Sequence, residues 1–500
     1  MRLPRTSSPL LLSGTLFFVG CLCVAGAAQQ TAAPTVTLFE GARLIAGDRS
    51  APIENSAFLV EGNRFTRVGR SGEISVPAGG VRVDLTGKTV MPALIDLHSH
   101  PGYENATTAT EEKENYTREN LIDHLERFAY SGHALTVSLG SDPPEDFVWQ
   151  MRADSNQDTF TGARFFTVGR GLAWPGTGPT ELARNDTAYP IVSTWQARLA
   201  VRELASRKVS FVKLWLEDRG GYEVPADRAQ RQGLVDEHGV PRPGRPFQLT
   251  PEISRAAVDE ARKHGLRTLA HVKTREDLKD LLRAGIDGWT HPIADLPADD
   301  ELLALLRERP NLWYIPAITP AGIGGSAPRA AGERPSWLAD PLLRAIKCPA
   351  FLERWGQSFA DSRGVPPPSG GLGVENVARF HKAGVRIALG GHDAGGNRII
   401  GWGSHMELEA FVNWVGMTPH EAIVAGTSAA AEALGAADLG SVAAGKAADF
   451  VVLDANPLDD IRNTRRIAQV FLRGREIDRT SMKAKWQTAC RAAEAKLARD

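Results

Sequence analysis

The chain has 500 residues, a length that predicts several domains or one large barrel with additions. Its residues are 42% hydrophobic and 23% charged, a composition that excludes an intrinsically disordered chain. The formal net charge of −1 gives no electrostatic reason to expect nucleic acid or an anionic membrane surface as the partner.

Residues 1–28 have the pattern of a secretory signal peptide. Arg2 and Arg5 precede an apolar run that ends in small residues, which predicts cleavage after Ala27 or Ala28. The protein is therefore expected to be secreted or periplasmic.

Two alternatives stay open for this N-terminal segment. A membrane anchor would need a longer apolar run, since this one is interrupted by Ser13, Gly14 and Gly20. A lipid anchor on Cys21 is the other, because the preceding residues loosely match a lipoprotein cleavage box. No later stretch of the sequence is apolar enough to predict a membrane span in the mature chain.

Two further cysteines, Cys348 and Cys490, lie far apart in the sequence. An oxidising compartment would allow them to form a disulfide, but the sequence does not show whether they are close in the fold. Neither lies beside a candidate catalytic histidine, so a thiol nucleophile is not expected.

Short β-like runs separated by turn residues occur in two distant regions, 29–90 and 435–480. The second region contains "GSVAAGKAADFVVLD" and "RIAQVFLRGREI". Because both regions show the same pattern of short β-like runs and turn residues, we predict that they form one small β-sandwich domain. Residues 481–500 are predicted to form a terminal helix.

Between these regions, residues 91–434 alternate apolar strands with amphipathic helices. One helix is predicted from Thr250 to near Gly265 and another from Thr274 to Gly285, each with a capping threonine before it. Eight strands that alternate with helices predict an α/β fold, specifically a (β/α)8 TIM barrel. The strand candidates are 93–98, 134–139, 164–168, 209–214, 267–272, 287–291, 311–316 and 385–390.

Metal-binding residue types follow the ends of several predicted strands. His98 and His100 stand at i and i+2, so they project to the same side of the first strand. In a barrel, such strand ends meet at one mouth, where barrel enzymes place their chemistry. A single strand-end histidine is usually structural, but this convergence predicts a metal site. The residues at the mouth are His98, His100, Lys213, His271, His291, His392 and Asp393.

Lys213 lies on the fourth predicted strand between apolar residues. A buried ammonium beside metal ions is unfavourable, so one interpretation is a neutral amine that takes up carbon dioxide as a carbamate. The other is a lysine that extends to solvent or pairs with Glu217 or Asp218. Position alone does not decide between them.

The whole pattern resembles the amidohydrolase superfamily. The shared features are H-x-H after "MPALID", a lysine on strand 4, histidines on strands 5 and 6, an aspartate on strand 8, and the C-terminal "GSVAAGKAADFVVLD". The chain is most similar to the branch related to imidazolonepropionase, prolidase and ochratoxinase, whose strand 4 lysine is carboxylated.

This resemblance implies a centre of two divalent ions, with zinc as the expected ion and a carbamate on the lysine. The implied ligands are His98, His100 and Asp393 at one ion, His271 and His291 at the other, and carboxylated Lys213 between them.

Two positions depart from family patterns. The family usually reads Gly-Thr-Asp on strand 8, whereas this chain has His392 before Asp393. His392 is interpreted as a substrate contact, a partner of a metal ligand or a tolerated change. The deaminases of the family carry glutamate where this chain has Thr274, which argues against deamination.

Two ions and a carboxylate indicate hydrolysis by a metal-activated hydroxide, with Asp393 as proton shuttle. The resemblance favours a small-molecule substrate with a linear amide bond, namely a dipeptide or an N-acyl amino acid. Trp174 and Tyr222 are candidate substrate contacts, although either could be a wall or surface residue. Arg219 or Arg228, in the long loop 218–249, could bind a substrate carboxylate.

Three alternatives remain at this point. The same centre could hydrolyse lactones or phosphoesters. The protein could be a non-catalytic metal-binding or sugar-binding protein, although the intact Asp393 argues against this. The histidines could also be purely structural. The sequence leaves open whether the chain forms a homo-oligomer.

Overall fold

The computed structural model describes residues 36–175, 177–179, 186–216, 248–318, 332–361, 371–393 and 399–497. Several sequence-based expectations concern residues outside these ranges. They are the signal peptide at 1–28, the lipid anchor on Cys21, the pairing of Lys213 with Glu217 or Asp218, and the substrate contacts Tyr222, Arg219 and Arg228.

Parallel strands form the centre of the structure. The strands are β7 (Leu94–Ser99), β10 (His133–Ser138), β11 (Arg164–Thr167), β12 (Gly171–Ala173), β13 (Ala188–Pro190), β14 (Phe211–Trp215), β15 (Arg267–His271), β16 (Gly288–Thr290), β17 (Trp313–Ile315) and β18 (Arg386–Ile387). Every pairing within this set is parallel, in a three-stranded sheet of order β11-β10-β7 and a seven-stranded sheet of order β13-β12-β14-β15-β16-β17-β18.

All eight strand candidates from the sequence are strands here, which confirms the α/β class. Hydrogen bonds also join the two parallel sheets. The backbone N–H of Leu97 donates to the carbonyl of Leu389 at 3.0 Å, and Ser99 forms a parallel bridge with Asp393. The first strand therefore lies beside the segment that follows the last strand.

Two strands of this set, β12 and β13, were not predicted. Each has three residues, which is too short for a hydrophobic period to be recognised. β12 pairs with β14, whereas β11 pairs with β10.

Helices connect the strands. The two helices predicted from their capping threonines begin as expected. The Thr250 side chain accepts a hydrogen bond from the N–H of Ile253, and the Thr274 side chain accepts one from the N–H of Asp277. Gly285 ends the later helix with φ 97°, a left-handed conformation that favours glycine. The helices are α1 (Arg118–Tyr130), α2 (Asp146–Asp154), α3 (Thr194–Ser206), α4 (Pro251–Lys263), α5 (Arg275–Ala284), α6 (Asp300–Arg307), α7 (Pro341–Ile346), α8 (Pro349–Ala360), α9 (Gly371–Lys382), α10 (Gly403–Ala410), α11 (Pro419–Ala425), α12 (Ser428–Leu434) and α13 (Arg479–Leu497).

Strands from both ends of the chain pair with each other. β6 runs antiparallel to β19, with Val90 opposite Val452, in a sheet of order β2-β6-β19-β20-β21. A second sheet has the order β4-β3-β1-β5. The strands are β1 (Val36–Glu40), β2 (Arg43–Leu44), β3 (Ser56–Glu61), β4 (Arg64–Arg70), β5 (Val81–Asp84), β6 (Thr89–Pro92), β19 (Phe450–Leu453), β20 (Ile467–Leu472) and β21 (Arg475–Glu476); a separate pair comprises β8 (Glu104–Asn105) and β9 (Thr110–Glu111).

An aromatic cluster packs between these two sheets. The rings of Phe39 and Phe58 stack with centroids 5.1 Å apart, and Phe39 meets the edge of Phe450 at 5.2 Å. Phe450 stacks on Phe471 at 4.5 Å. The contacts join the N-terminal and C-terminal strands through one apolar core; the domain limits 29–90 and 435–480 stay a prediction.

The terminal helix α13 is tied to the rest of the chain in several ways. Cys490 forms a disulfide with Cys348, which answers the question that the sequence left open. The indole nitrogen of Trp486 donates to Asp123 at 2.7 Å, and the Arg127 guanidinium lies 4.5 Å from the Trp486 ring. Within the described part of the chain, no helix combines the length and the hydrophobicity that a membrane crossing requires.

Candidate metal centre

The end of β7 brings His98 and His100 together. Both imidazoles are buried, and their ring centroids lie 5.1 Å apart. The N–H of His98 donates to the Asp96 carboxylate at 2.9 Å, and the same carboxylate accepts from the N–H of Gly391. Asp96 therefore fixes the backbone of β7 against the segment that follows β18.

Strand β14 contributes Lys213, whose side chain is fully buried. Its Nζ atom donates to Oγ1 of Thr290 at 2.9 Å and lies 4.8 Å from the ring of Trp215. The Trp215 ring lies 5.0 Å from that of His271 and 6.1 Å from that of His100. Lys213 and Trp215 are two residues apart on β14, so their side chains project to the same side of the strand.

A second histidine pair follows β15 and β16. His271 ends β15 and His291 follows β16, and their ring centroids are 4.2 Å apart. His291 has φ 77°, an unusual backbone conformation for a residue other than glycine. Its ring lies 4.9 Å from that of His98, so the two histidine pairs are adjacent.

The segment after β18 adds His392 and Asp393. The His392 ring lies 4.3 Å from the His98 ring and 4.9 Å from the rings of His100 and His291. The carboxylate of Asp393 accepts hydrogen bonds from Gly401 N at 2.9 Å and Ser404 Oγ at 3.4 Å. The strand-end cluster is thus formed by His98, His100, Lys213, His271, His291, His392 and Asp393.

The donor set of the strand-end cluster fits divalent metal ions. Candidate ligand nitrogens of His98, His100 and His392 lie within 4.8 Å of one another. Among the described residues, neither ring nitrogen of His98 has a hydrogen-bond partner, and neither does Oδ1 of Asp393, although all three atoms are buried. Buried polar atoms are normally paired, so these atoms are suited to binding an ion.

Electrostatics favour the ligand form of the imidazoles. Burial lowers the pKa of His98 and of His271 well below the usual range, and the nearby Lys213 cation adds to the effect. Neutral imidazole is the form that binds zinc. Burial raises the pKa of Asp96 to about 8 and that of Asp393 well above its usual range. A bound cation would favour the ionised form of both carboxyl groups.

The structure brings all seven strand-end residues of the prediction into one region. Trp174 follows β12, is partly buried, and lies next to Ala173, which is paired with Trp215. Tyr222 lies outside the described residues. Other histidines have structural contacts: His124 accepts from the N–H of Gly102 and donates to a carbonyl.

Sequence analysis did not single out several residues that contact the strand-end cluster. Among them are Trp215, Thr290 and Ser141, whose Oγ lies 2.6 Å from Nδ1 of His100. Trp215 could have been found, because it stands two residues after Lys213 on the same strand. Ser141 lies in a loop, where no periodic pattern indicates the side that a residue faces.

A cavity of about 910 Å³ lies at the opposite end of the strands. It is lined by Trp313 and Arg386, which begin β17 and β18, by residues that precede these strands, and by residues of the helices α11 and α12. No residue of the strand-end cluster lines this cavity. Its size therefore does not locate the chemistry, whereas the donor set does.

Residues 89–477, more than half of the chain, match the amidohydrolase family. The chain belongs to this family, as its sequence pattern predicted. The family comprises hydrolases that act on carbon–nitrogen bonds, and its members imply a TIM-barrel-type fold for the chain.

Among curated proteins, the ochratoxinase of Aspergillus niger is 31% identical over 219 residues. This match covers 43% of the chain but 38% of that enzyme, so the chain spans less than half of that relative's length. An uncharacterised protein of Mycobacterium bovis is 25% identical over 70% of this chain and 76% of its own.

Among solved structures, a candidate prolidase from Bifidobacterium longum has a TM-score of 0.65 at 26% identity, covering 91% of this chain and 99% of its own. The A. niger ochratoxinase structure has a TM-score of 0.63 at 20% identity, covering 89% and 96%. A Xaa-Pro dipeptidase with bound methionine has a TM-score of 0.65 at 22% identity, covering 88% and 99%. The last two similarities support the fold alone.

Proposed function

We propose that the protein is a hydrolase of linear amide bonds that uses two divalent ions, with zinc expected. Its substrate is a dipeptide or an N-acyl amino acid with a free carboxylate. The observation that carries the proposal is the strand-end cluster, in which five imidazoles, a buried lysine and a buried aspartate meet at one site. The similarity to a candidate prolidase supports the choice of substrate.

The proposed ligands follow the family pattern residue by residue. Bound divalent ions supply an activated water and polarise the scissile carbonyl. His98 and His100 would hold one ion beside Asp393, and His271 and His291 would hold the other. Their buried, neutral imidazoles are already in the ligand form.

Lys213, as a carbamate, would contribute a ligand to both ions in this proposal. Its Nζ atom is fully buried, and its charge acts on both His98 and His271, so it faces both halves of the cluster. A cationic lysine would repel the ions, and conversion to a carbamate would replace that repulsion by attraction.

Asp393 receives a proton from the attacking water and passes it to the leaving nitrogen. Hydrogen bonds from Gly401 and Ser404 hold its carboxylate in one orientation. The Oδ1 atom of Asp393 is buried and has no hydrogen-bond partner among the described residues, so it can accept the proton. Trp215 packs against the imidazoles and excludes water from one side of the site.

The proposal extends to the rest of the molecule. The eight strands that the sequence predicted close into a barrel, and the hydrogen bond from Leu97 to Leu389 between the first and last of them supports this closure. The strands of both chain ends form a β-sandwich domain beside the barrel. The enzyme acts outside the cytoplasm, which agrees with a disulfide between Cys348 and Cys490.

A substrate panel tests the proposed function. The zinc-loaded protein is assayed with dipeptides and N-acyl amino acids, with the same compounds blocked as carboxamides, and with lactones and phosphotriesters. We expect free carboxylates to be cleaved about 10- to 150-fold faster than blocked forms, since a charge-assisted contact is worth roughly 1.5–3 kcal/mol. Equal rates for both forms, or reaction of lactones and phosphotriesters alone, would contradict the proposal.

A further inference from the structure

His392 is the histidine of the strand-end cluster that the family pattern does not supply. It stands between Gly391 and Asp393, where the resemblance to the family leads us to expect threonine. Its side chain is buried, and its ring lies nearer to the His98 ring than the His100 ring does, at 4.3 Å against 5.1 Å.

The backbone on both sides of His392 is held tightly. A Cβ atom on Gly390 would lie 2.6 Å from Cβ of His98, and one on Gly391 would lie 2.6 Å from the backbone N of Ser404. Asp393 forms a parallel bridge with Ser99. These contacts leave the chain little freedom to shift.

His392 itself has φ 52°, a left-handed conformation that is uncommon for histidine. Such a conformation persists where the surrounding structure determines it and is concentrated at functional sites. Here it accompanies a ring that lies against the rings of His98, His100 and His291.

The carboxylate of Asp393 has hydrogen-bond partners of its own. It accepts hydrogen bonds from Gly401 and Ser404, and a Cβ atom on Gly403 would collide with its Oδ1. The three residues whose candidate ligand atoms lie within 4.8 Å of one another are His98, His100 and His392. Since Zn–N bonds are about 2.0–2.1 Å long, two nitrogens on one ion lie roughly 4 Å or less apart, which is close to this spacing.

We propose that His392 is a third imidazole ligand, with His98 and His100, of the first metal ion. The inference rests on the proposed metal centre and adds a ligand that the family pattern does not provide. Asp393 keeps its place beside this ion: its Oδ2 atom is held by Gly401 and Ser404, and its Oδ1 atom, which has no hydrogen-bond partner among the described residues, stays available to the ion and to a proton.

Metal binding tests this inference without relying on turnover. Metal-free protein is titrated with Co²⁺ against a competing chelator, and the visible spectrum reports the ligands of the ion. The variant His392→Asn keeps a residue that tolerates positive φ, and His392→Thr restores the residue usual in the family. We expect both variants to lose affinity at one of the two sites by more than about 100-fold, beyond the roughly 10- to 100-fold cost of losing an outer partner of a ligand.

Two control variants show what unchanged metal binding and loss of the first ion look like in this titration. The exposed His264 is replaced in His264→Gln, which should bind both ions with unchanged affinity and spectrum. His98→Asn should lose the first ion whether or not His392 is a ligand. A His392→Thr variant with two ions, a loss below about 100-fold and a wild-type spectrum would overturn the inference.

A crystal structure of the zinc-loaded wild-type protein decides the question even if the variants do not fold. We expect a ring nitrogen of His392 about 2.0–2.1 Å from one ion. A His392 ring that contacts neither ion would overturn the inference. The proposed function is tested separately, because a protein with this ligand set that hydrolyses no amide would refute the reaction while leaving the ligand assignment intact.

Discussion

Lys213 is fully buried and lies within electrostatic reach of both His98 and His271. If its carbamate bridges the two ions, Lys213→Ala should lower turnover by at least about 100-fold, the usual cost of losing one strong electrostatic contact to the reacting group. The same variant should retain fewer ions. Steady-state kinetics and elemental analysis measure the two effects.

The matched control is Lys263→Ala, which removes an exposed lysine paired with Glu260 and should change neither quantity. Small carboxylic acids in excess should partly restore the activity of Lys213→Ala, since they can replace the bridging oxygens. Normal rates and two bound ions in Lys213→Ala would show that the carbamate interpretation is wrong.

At the scale of single residues, sequence predicted the cluster where strand period applies. His98 and His100 share a side because they are two residues apart on a strand, and the structure has their rings in contact. Thr290 was not predicted, because its contact with Lys213 depends on which side chains lie near each other on neighbouring strands. The register between neighbouring strands decides which side chains meet, and a single sequence does not reveal that register.

Thr274 shows how one residue starts an element. Its side chain accepts a hydrogen bond from the N–H of Asp277 and caps α5. The position at which related deaminases carry glutamate is therefore used for folding here. Thr274→Ala should lower the free energy of unfolding by about 1 kcal/mol, within the usual range of about 0.5–2 kcal/mol for a lost cap.

Chemical denaturation measures this difference, and turnover should stay within about twofold of wild type. Thr274→Asn is the matched control, because asparagine caps as well as threonine and should cost a few tenths of a kcal/mol at most. If Thr274→Ala and Thr274→Asn are equally stable, the cap does not stabilise α5 as described.

At the scale of elements, sequence located all eight strand candidates within a few residues of their observed bounds. Capping residues and glycine placed the ends of α4 and α5, where Thr250, Thr274 and Gly285 act as expected. β12 and β13 were not predicted, because a strand of three residues is too short to show a hydrophobic period. β14 pairs with β12 rather than with β11. This pairing depends on the tertiary fold, which the local sequence pattern does not predict.

At the scale of the whole molecule, a buried histidine makes stability depend on pH. Burial lowers the pKa of His405 to about 3, and the nearby His133, Arg465 and Arg479 add to the effect. An unfolded histidine has a pKa of about 6.5. Below that pH the unfolded chain binds a proton that the folded chain excludes, so His405 lowers stability as the pH falls from about 6.5 towards 3.

The variant His405→Gln tests this effect, since a glutamine amide can still donate to the Ser131 carbonyl that His405 Nε2 contacts at 2.9 Å. Between pH 6 and 4 its stability should fall less steeply than that of wild type, by up to about 1.4 kcal/mol per pH unit. Denaturation at a series of pH values measures the slope. A His405→Gln slope equal to that of wild type would contradict the assignment.

The short β-like runs near both chain ends predicted that the two regions pack together. The pairing of β6 with β19 agrees with this prediction. The disulfide could not be predicted, because Cys348 and Cys490 are 142 residues apart and come together through the packing of α13. Long-range contacts of this kind depend on the complete fold.

The central claim is that two divalent ions in the strand-end cluster are required to hydrolyse an amide bond. Elemental analysis of the purified protein, combined with turnover of one dipeptide before and after removal of metal by a chelator, tests it most directly. We predict close to two ions per chain, loss of turnover on chelation and recovery on addition of zinc. A protein that retains full amide hydrolysis without metal would contradict the account.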